Sequence, residues 1–219
     1  MSQKAQSAFL ICNGEMASPQ VMLALASQAD TIVCADGGAN AARVMNIIPD
    51  TIIGDFDSIT DGTRAHYERM GVALIHLERQ DDTDFEKALI LLRESGVKSV
   101  AVCGVTGKLL DHTLGNFSIL LRYLDVFRIV LFDPHYRVDV ITASTNFSSR
   151  PGDRISVVPL VPTYGVQYTG LRYPFEKPVL AFGLAEGTCN ESLGDNFTVS
   201  LESGVLLVFR ELHQGMWLL

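Results

Sequence analysis

Short runs of apolar, mostly β-branched residues alternate with longer amphipathic stretches up to about residue 132. Such runs predict buried strands, because they contain four to eight residues and most end at glycine, asparagine or aspartate. The predicted strands are 8–12, 31–35, 51–54, 73–76, 99–103 and 128–132. Strands that alternate with helices favour a mostly parallel sheet with flanking helices. We therefore expect an α/β domain over residues 1–142.

Two helix starts are marked by local chemistry. Ser18 followed by Pro19 places a capping hydroxyl and a preset φ at the beginning of one helix. Thr83 followed three residues later by Glu86 is a capping box. It predicts a helix over 84–95 that stops at the next glycine.

The pattern changes after residue 142. Residues 143–152 are rich in Ser, Thr, Asn, Pro and Gly and predict a linker. Beyond the linker, short apolar runs separated by Gly, Pro and Asn are typical of an all-β domain. These runs are 155–158, 166–169, 179–182, 197–201 and 205–210. We therefore expect a C-terminal β-sandwich over residues 153–219.

Acidic residues cluster directly after the third predicted strand, where Gly54 is followed by Asp55 and Asp57. The chain turns at a strand end, so both carboxylates can converge on one point outside the sheet. Carboxylates at one point repel each other unless a cation or proton lies between them. Mg²⁺ takes such oxygen ligands together with substrate phosphates. The segment indicates a metal–phosphate site, and an Asp-rich turn that only caps backbone amides is the alternative.

A second acidic cluster lies at the start of the helix predicted over 84–95. It contains Asp81, Asp82 and Asp84, with Lys87 at the end of the first turn. Asp84 alone could be a helix-stabilising charge, but three aspartates exceed what one cap requires. Lys87 can reach a phosphate as a point charge.

Two glycine-containing loops follow two further predicted strands. Ala-Asp-Gly-Gly-Ala-Asn spans 35–40, and Gly-Val-Thr-Gly spans 104–107. Glycine lets the backbone approach a ligand closely, and open α/β sheets bind ligands outside the carboxyl ends of their strands. Four polar or glycine-rich loops after four strands therefore predict one shared binding site.

Together these segments resemble the thiamine pyrophosphokinase (thiamine diphosphokinase) family. The resemblance rests on the order and spacing of 35–40, 54–58, 81–87 and 104–112, and residues 168–175 and 186–191 resemble the family's thiamine-binding portion, so it extends over nearly the whole chain. It implies an N-terminal domain that binds Mg-ATP and a C-terminal domain that binds thiamine. It also implies diphosphate transfer from ATP to the thiamine hydroxyl, giving thiamine diphosphate and AMP. The family's members form homodimers with the thiamine site between subunits, so a homodimer is implied as well.

The acidic clusters and the resemblance together assign roles to individual residues. The metal ligands are Asp55, Asp57, Asp81 and Asp84. The catalytic group is Asp55, Asp57, Asp84, Lys87 and Asp111. The nucleotide-binding group is Asp36, Gly37, Gly38, Asn40, Gly104, Thr106, Gly107 and Lys108. The thiamine-binding group is Asp111, His112, Tyr173, Thr188 and Asn190.

Two of the thiamine assignments have open alternatives. An aromatic face such as that of Tyr173 can stack on the cationic thiazolium ring, or it can simply pack in the sandwich. His112, in a first helical turn, can contact substrate or serve as a capping or packing group.

One position departs from the family pattern. The family commonly reads Gly-Gly-Arg-Leu/Phe-Asp, whereas Lys108 and Leu109 occupy the places of the second glycine and the arginine. We expect any phosphate contact of that arginine to be lost or moved to Lys108.

Composition excludes some partners. The net charge of −8 and the pI of about 5.0 disfavour a nucleic-acid backbone, which needs a basic face. No apolar run approaches the roughly 20 residues of a membrane span. The four cysteines show no CxxC spacing, and a reduced, cytoplasmic protein is expected.

Two other functions remain open at the level of sequence. One is a phosphatase that uses Asp55 of the Asp-x-Asp pair as nucleophile, which leaves the second acidic cluster without a use. The other is a non-catalytic nucleotide or thiamine sensor, which the change at Lys108 and Leu109 keeps open.

Overall fold

Parallel strands with intervening helices form the first part of the chain, in agreement with the predicted α/β class. The structure, a computed structural model, describes residues 6–78 and 81–213. The strands are β1 (Ser7–Ile11), β2 (Thr31–Ala35), β3 (Thr51–Gly54), β4 (Ala73–His76), β5 (Ser99–Cys103) and β6 (Arg128–Phe132). The helices are α1 (Pro19–Gln28), α2 (Gly38–Val44), α3 (Asp61–Arg69), α4 (Asp84–Ser95) and α5 (Leu110–Leu120).

These strands lie in the order β6-β5-β1-β2-β3-β4, and all neighbours are parallel. The chain moves from β1 outward to β4 and then returns to the other side of β1 as β5. The connections that follow β1 and β5 run in opposite directions along the sheet, so the ends of these two strands form a topological switch point, where open α/β sheets bind ligands.

The two predicted helix starts are confirmed. The Ser18 hydroxyl accepts a hydrogen bond from the Val21 amide, and Pro19 is the first residue of α1. The Thr83 hydroxyl accepts a hydrogen bond from the Glu86 amide at 3.3 Å. The buried carboxylate of Glu86 does not complete a capping box, because it accepts the hydroxyl of Tyr123 and pairs with Arg122.

The described residues divide into two units, one ending at His135 and the other spanning Tyr136–His213. The division lies earlier than the predicted end of the first domain at residue 142, so β7 (Tyr136–Ile141) belongs to the second unit. The segment 143–152, predicted as a linker, contains β8 (Thr145–Ser148).

The second unit consists of antiparallel strands, as predicted for a β-sandwich. Its further strands are β9 (Arg154–Pro159), β10 (Thr163–Tyr164), β11 (Gln167–Thr169), β12 (Val179–Leu180), β13 (Gly187–Glu191), β14 (Asn196–Ser200) and β15 (Leu206–Glu211). They pair in the orders β13-β9-β15-β7, β11-β14-β8 and β10-β12. Phe147, Val157, Phe197 and Val208 from both larger groups lie in one apolar core.

Three of the four cysteines are buried where their strands end. Cys34 and Cys103 close β2 and β5, and Cys12 follows β1, whereas Cys189 in β13 is exposed. Burial raises the pKa of the thiols of Cys12, Cys34 and Cys103. All four are free thiols. None of the helices in the described part of the chain is long and apolar enough to span a membrane.

Helix α2 lies close to β1, and Gly38 makes this approach possible. A β-carbon at Gly38 would collide with the carbonyl oxygen of Ile11. Because that obstacle is backbone rather than a flexible side chain, the helix would have to move away from the sheet. Gly115 in α5 is also helical, but a β-carbon there would meet no atom within 4 Å.

Gly38→Ala should therefore destabilise the protein by about 1–3 kcal/mol, the usual cost of overpacking. Gly115→Ala is the matched control and should be neutral or stabilise by up to about 1 kcal/mol, because alanine is the better helix former. Urea unfolding of both variants measures the difference. Equal midpoints would show that α2 adjusts freely to the extra methyl group.

Candidate active site

An open cleft of about 710 Å³ lies in the first unit, at the carboxyl ends of the parallel strands. Of the residues assigned from sequence, it is lined by Asp36, Asp55, Asp57, Asp84, Lys87, Gly104, Thr106, Gly107, Lys108, Asp111 and His112. The loops after β1, β2, β3 and β5 and the start of α4 all contribute. Residues from all four loops singled out in the sequence thus line this one cleft.

Three carboxylates in the cleft converge on one point. Oxygen atoms of Asp36, Asp55 and Asp84 all lie within 4.8 Å of one another. Gly54 makes this possible, because a β-carbon there would lie 2.7 Å from Cβ of Asp36 and 3.2 Å from Oδ1 of Asp84. Hard divalent cations prefer such a set of carboxylate oxygens.

This group differs in membership from the predicted metal ligands. It contains Asp36 in addition to Asp55 and Asp84, and it lacks Asp57 and Asp81. Asp57 lines the cleft and accepts a hydrogen bond from the Ser58 hydroxyl at 2.8 Å. Asp81 is exposed and is not among the lining residues of the cleft.

Asp36 is the most buried of the three, with 2% of its surface exposed. Its carboxylate accepts the amides of Ser58 at 2.9 Å and Ile59 at 3.0 Å, so it also fixes the loop after β3. The pKa of Asp36 is raised to about 6, mainly by burial and in part by the side chains of Asp57 and Asp84, while the two amides lower it. A group in this range loses its proton as a cation binds.

The other three residues assigned to nucleotide binding after β2 differ from Asp36 in their position relative to the cleft. Gly37, Gly38 and Asn40 are not among the residues that line it. The Asn40 amide group donates to the carbonyl of Ser58 at 3.0 Å and accepts the amide of Thr60 at 3.1 Å. Asn40 therefore holds the end of the acidic loop.

Lys87 lines the cleft beside Asp84. Its side chain is only 3% exposed, and its Nζ atom donates to Oδ1 of Asp84 at 2.9 Å. Since Lys87 follows Asp84 by one helical turn, the capped start of α4 sets the positions of both. A buried ammonium beside a carboxylate can shift toward a phosphate that enters the cleft.

The glycine loop after β5 is joined to the loop after β1. The amide of Gly14 donates to the carbonyl of Gly104 at 2.7 Å. Nζ of Lys108 donates to Oδ1 of Asn13 at 2.8 Å. The backbone of Lys108 has a positive φ of 54°. The sequence assignments omit Asn13 and Asp82, which both line the cleft. The feature of the sequence that indicates Asn13 as a site residue is its position directly after the predicted strand 8–12.

Asp111 and His112 lie in the first turn of α5 and are both exposed at the cleft. Their apolar neighbours Leu110 and Leu114 are also exposed, by 72% and 60%. This end of the cleft therefore presents polar groups beside uncovered apolar surface.

In the second unit, Asn190 and Tyr173 are linked directly. The Asn190 amide group accepts the backbone amide of Tyr173 at 3.0 Å and donates to its carbonyl at 2.7 Å. Asn190 is 5% exposed, whereas the Tyr173 side chain is 58% exposed. Thr188 is exposed as well. Asn190 therefore fixes the backbone from which the Tyr173 ring projects.

An α/β unit with carboxylates, a buried lysine and a glycine loop at its strand ends is typical of enzymes that act on metal-bound phosphates. Within this class, the chain belongs to the thiamine pyrophosphokinase family. Residues 22–131 match the family model for "Thiamin pyrophosphokinase, catalytic domain". Residues 142–206 match the model for "Thiamin pyrophosphokinase, vitamin B1 binding domain".

Individual relatives agree with this assignment. The chain is 28% identical over 180 residues to thiamine pyrophosphokinase of Bacillus subtilis, covering 80% of this chain and 84% of the relative. It is 28% identical over 202 residues to thiamine pyrophosphokinase 1 of Arabidopsis thaliana, covering 80% and 75%.

Solved structures share the fold. The Bacillus subtilis enzyme superposes with a TM-score of 0.80 at 23% identity, over 94% of this chain and 99% of the other. Thiamin pyrophosphokinase from Candida albicans superposes with a TM-score of 0.84 at 18% identity, over 95% and 90%.

The raised pKa of Asp36 predicts how the cation-free protein responds to pH. The folded state holds this proton more tightly than the unfolded state, whose aspartate pKa is about 3.8. The stabilising contribution of the Asp36 proton to the free energy of unfolding is therefore fully present below about pH 4. It is lost as the pH rises through about 6.

Asp57→Asn should reduce this loss, because it removes one of the neighbours that raise the Asp36 pKa. We expect the variant to gain up to about 1 kcal/mol at pH 7, since one pKa unit corresponds to about 1.4 kcal/mol. Urea unfolding in EDTA from pH 4 to 7.5 tests this, with the exposed Asp125→Asn as control. Parallel pH profiles for the wild type and Asp57→Asn would contradict the coupling.

Proposed function

We propose that the protein is a thiamine diphosphokinase that uses ATP. The observation that carries this proposal is the group of Asp36, Asp55 and Asp84 beside Lys87, in a chain that matches both family models. In the reaction, the hydroxyl oxygen of thiamine bonds to the β-phosphorus of ATP. The bond from that phosphorus to the oxygen bridging the α-phosphate breaks, AMP leaves, and the hydroxyl proton is released.

The donor set of the carboxylate group fits Mg²⁺, because it offers three carboxylate oxygens at one point next to a cleft open to phosphates. We infer that Asp36, Asp55 and Asp84 hold the ion, with Asp57 adjacent. A bound Mg²⁺ would supply neutralisation of phosphate charge. The remaining contributions to this chemistry are positioning and charge compensation by the protein.

Each nearby side chain has a specific part in this proposal. Lys87 offsets phosphate charge from its position beside Asp84, and Lys108 does so from the glycine loop in place of the family's arginine. Asp111, at the exposed start of α5, orients the thiamine hydroxyl or accepts its proton. Asp81 contributes only the negative potential near the start of α4.

Thiamine is the acceptor in this proposal, and Tyr173 is its stacking partner. The ring is exposed and its backbone is held by Asn190, so stacking requires little reorganisation. A homodimer and a cytoplasmic location are further parts of the proposal.

The phosphatase and the sensor make different predictions, since a phosphatase releases phosphate from simple esters and a sensor forms no product.

Incubation with Mg-ATP and thiamine should yield AMP and thiamine diphosphate in equal amounts. Asp55→Asn should lower kcat by at least about 100-fold, because loss of even a supporting group at a metal site often costs 10–100-fold. Asp125→Asn, an exposed aspartate outside the cleft, is the control. Release of ADP or phosphate instead of AMP would refute diphosphate transfer. Near-normal turnover of Asp55→Asn would remove Asp55 from the metal site.

Tyr173→Ala should weaken thiamine binding about fivefold and leave ATP binding unchanged, since an aromatic stacking partner contributes on the order of 1 kcal/mol. Tyr173→Phe keeps the stacking face and should bind thiamine nearly as well as the wild type. Tyr164→Ala removes another exposed tyrosine of the second unit and serves as the control. Calorimetric titration measures all three. An unchanged thiamine dissociation constant in Tyr173→Ala would leave the acceptor site unassigned.

A further inference from the structure

The turn that carries Asp55 and Asp57 contains an unusual backbone conformation. Phe56, between them, has a φ of 64°, in the left-handed region. A bulky side chain persists there only where its surroundings hold it. Asp55 and Asp57 line the cleft and Phe56 does not. The contacts of the Phe56 ring therefore help to decide where the two carboxylates point.

Two residues outside the lining of the cleft contact this ring. The His76 ring stacks on it with centroids 5.2 Å apart and planes inclined by 18°. The Arg64 guanidinium carbon lies 5.1 Å from the ring centroid, and Arg64 is itself paired with Glu68 at 3.0 Å. Ring stacking and a cation over an aromatic face are both favourable contacts.

His76 makes a second contact with the same turn. Its Nε2 atom lies 3.1 Å from the carbonyl oxygen of Asp55. A carbonyl oxygen can only accept a hydrogen bond, so Nε2 carries the hydrogen. His76 lies opposite Gly54 in the register of β3 and β4, which brings it beside the turn. One side chain thus holds both the backbone of Asp55 and the ring of the next residue.

The other end of the loop is held separately. Asp36 accepts the amides of Ser58 and Ile59, and Asn40 binds Ser58 and Thr60. Within the turn itself, the Asp55 carboxylate accepts the amide of Asp57 at 3.3 Å, and the Phe56 ring contacts His76 and Arg64.

We propose that His76 is a positioning residue for diphosphate transfer, which holds Phe56 in its left-handed conformation and so directs Asp55 and Asp57 into the cleft. The inference rests on the proposed function, but it concerns how the carboxylates are held and does not depend on which acceptor is used. Arg64 supports the same ring from α3.

Three substitutions separate the two contacts of His76. His76→Ala removes both the ring and the donor. His76→Phe keeps a ring for stacking, and His76→Gln keeps an N–H donor. His66→Ala is the matched control, because His66 lies in α3 with its ring edge-on to Tyr67 at 5.1 Å.

Cation affinity is the primary readout and needs no turnover. Mn²⁺ binding is measured by electron paramagnetic resonance in the presence of α,β-methylene-ATP, whose α–β bridge cannot be cleaved. His76→Ala should weaken Mn²⁺ binding about fivefold to tenfold, and His76→Phe and His76→Gln should each show a smaller loss. In the steady state, His76→Ala should raise the Mg²⁺ concentration for half-maximal rate and lower kcat, with the KM for thiamine unchanged. Far-UV circular dichroism confirms that each variant is folded.

Equal Mn²⁺ affinity in His76→Ala and His66→Ala would overturn the inference, as would the absence of Mn²⁺ binding to the unaltered protein. A KM for thiamine that rises together with the Mg²⁺ requirement would indicate a general structural defect and would also overturn it. If the wild type forms no AMP but His76→Ala still binds Mn²⁺ more weakly than His66→Ala, the proposed function fails and the positioning role stands.

Discussion

Repulsion between carboxylates held at one point is the constraint on which this site depends. Two unit charges about 4 Å apart repel by roughly 4 kcal/mol at an effective dielectric constant of 20. The protein brings Asp36, Asp55 and Asp84 within 4.8 Å of one another, from three separate segments that meet at the strand ends. Backbone amides at Asp36 and the Lys87 ammonium at Asp84 offset part of this cost. Under the proposed function, a bound divalent cation would offset the rest, so that the repulsion between the free carboxylates favours cation binding.

Backbone strain is concentrated in the same places. Among the described residues, five other than glycine have positive φ values: Asp36, Asn46, Phe56, Lys108 and Cys189. Asp36 and Lys108 line the cleft, and Phe56 separates two residues that do. Strain of this kind persists where surrounding contacts over-determine the conformation. The family pattern has glycine at the position of Lys108, where a positive φ causes no strain. In this chain the backbone at Lys108 is strained, and its ammonium group donates a hydrogen bond to Asn13.

The strands that position the site can be predicted from sequence, because each is an apolar run stopped by a polar or glycine-rich loop. β2 to β6 and α4 have the predicted bounds, and β1 is shifted by one residue. β8 escapes prediction because only Phe147 among its four residues is buried. The contacts of Asn40 and Asn190 cannot be predicted from sequence either, because an amide side chain can bind a ligand or backbone groups equally well. Only the structure shows which backbone groups the two side chains bind. Likewise, the spacing of Asp81 cannot reveal that it is exposed and lies outside the lining of the cleft.

The distribution of the thiols has a practical consequence. Cys12, Cys34 and Cys103 are buried and their raised pKa values disfavour the reactive thiolate, whereas Cys189 is exposed. A maleimide would therefore modify the folded chain at Cys189, between Thr188 and Asn190. A fluorophore could be placed in this way within the region that matches the vitamin B1 binding domain, without any engineered cysteine. Unfolding would increase the number of reactive thiols per chain from one to four, so mass spectrometry of labelled protein would count folded and unfolded molecules directly.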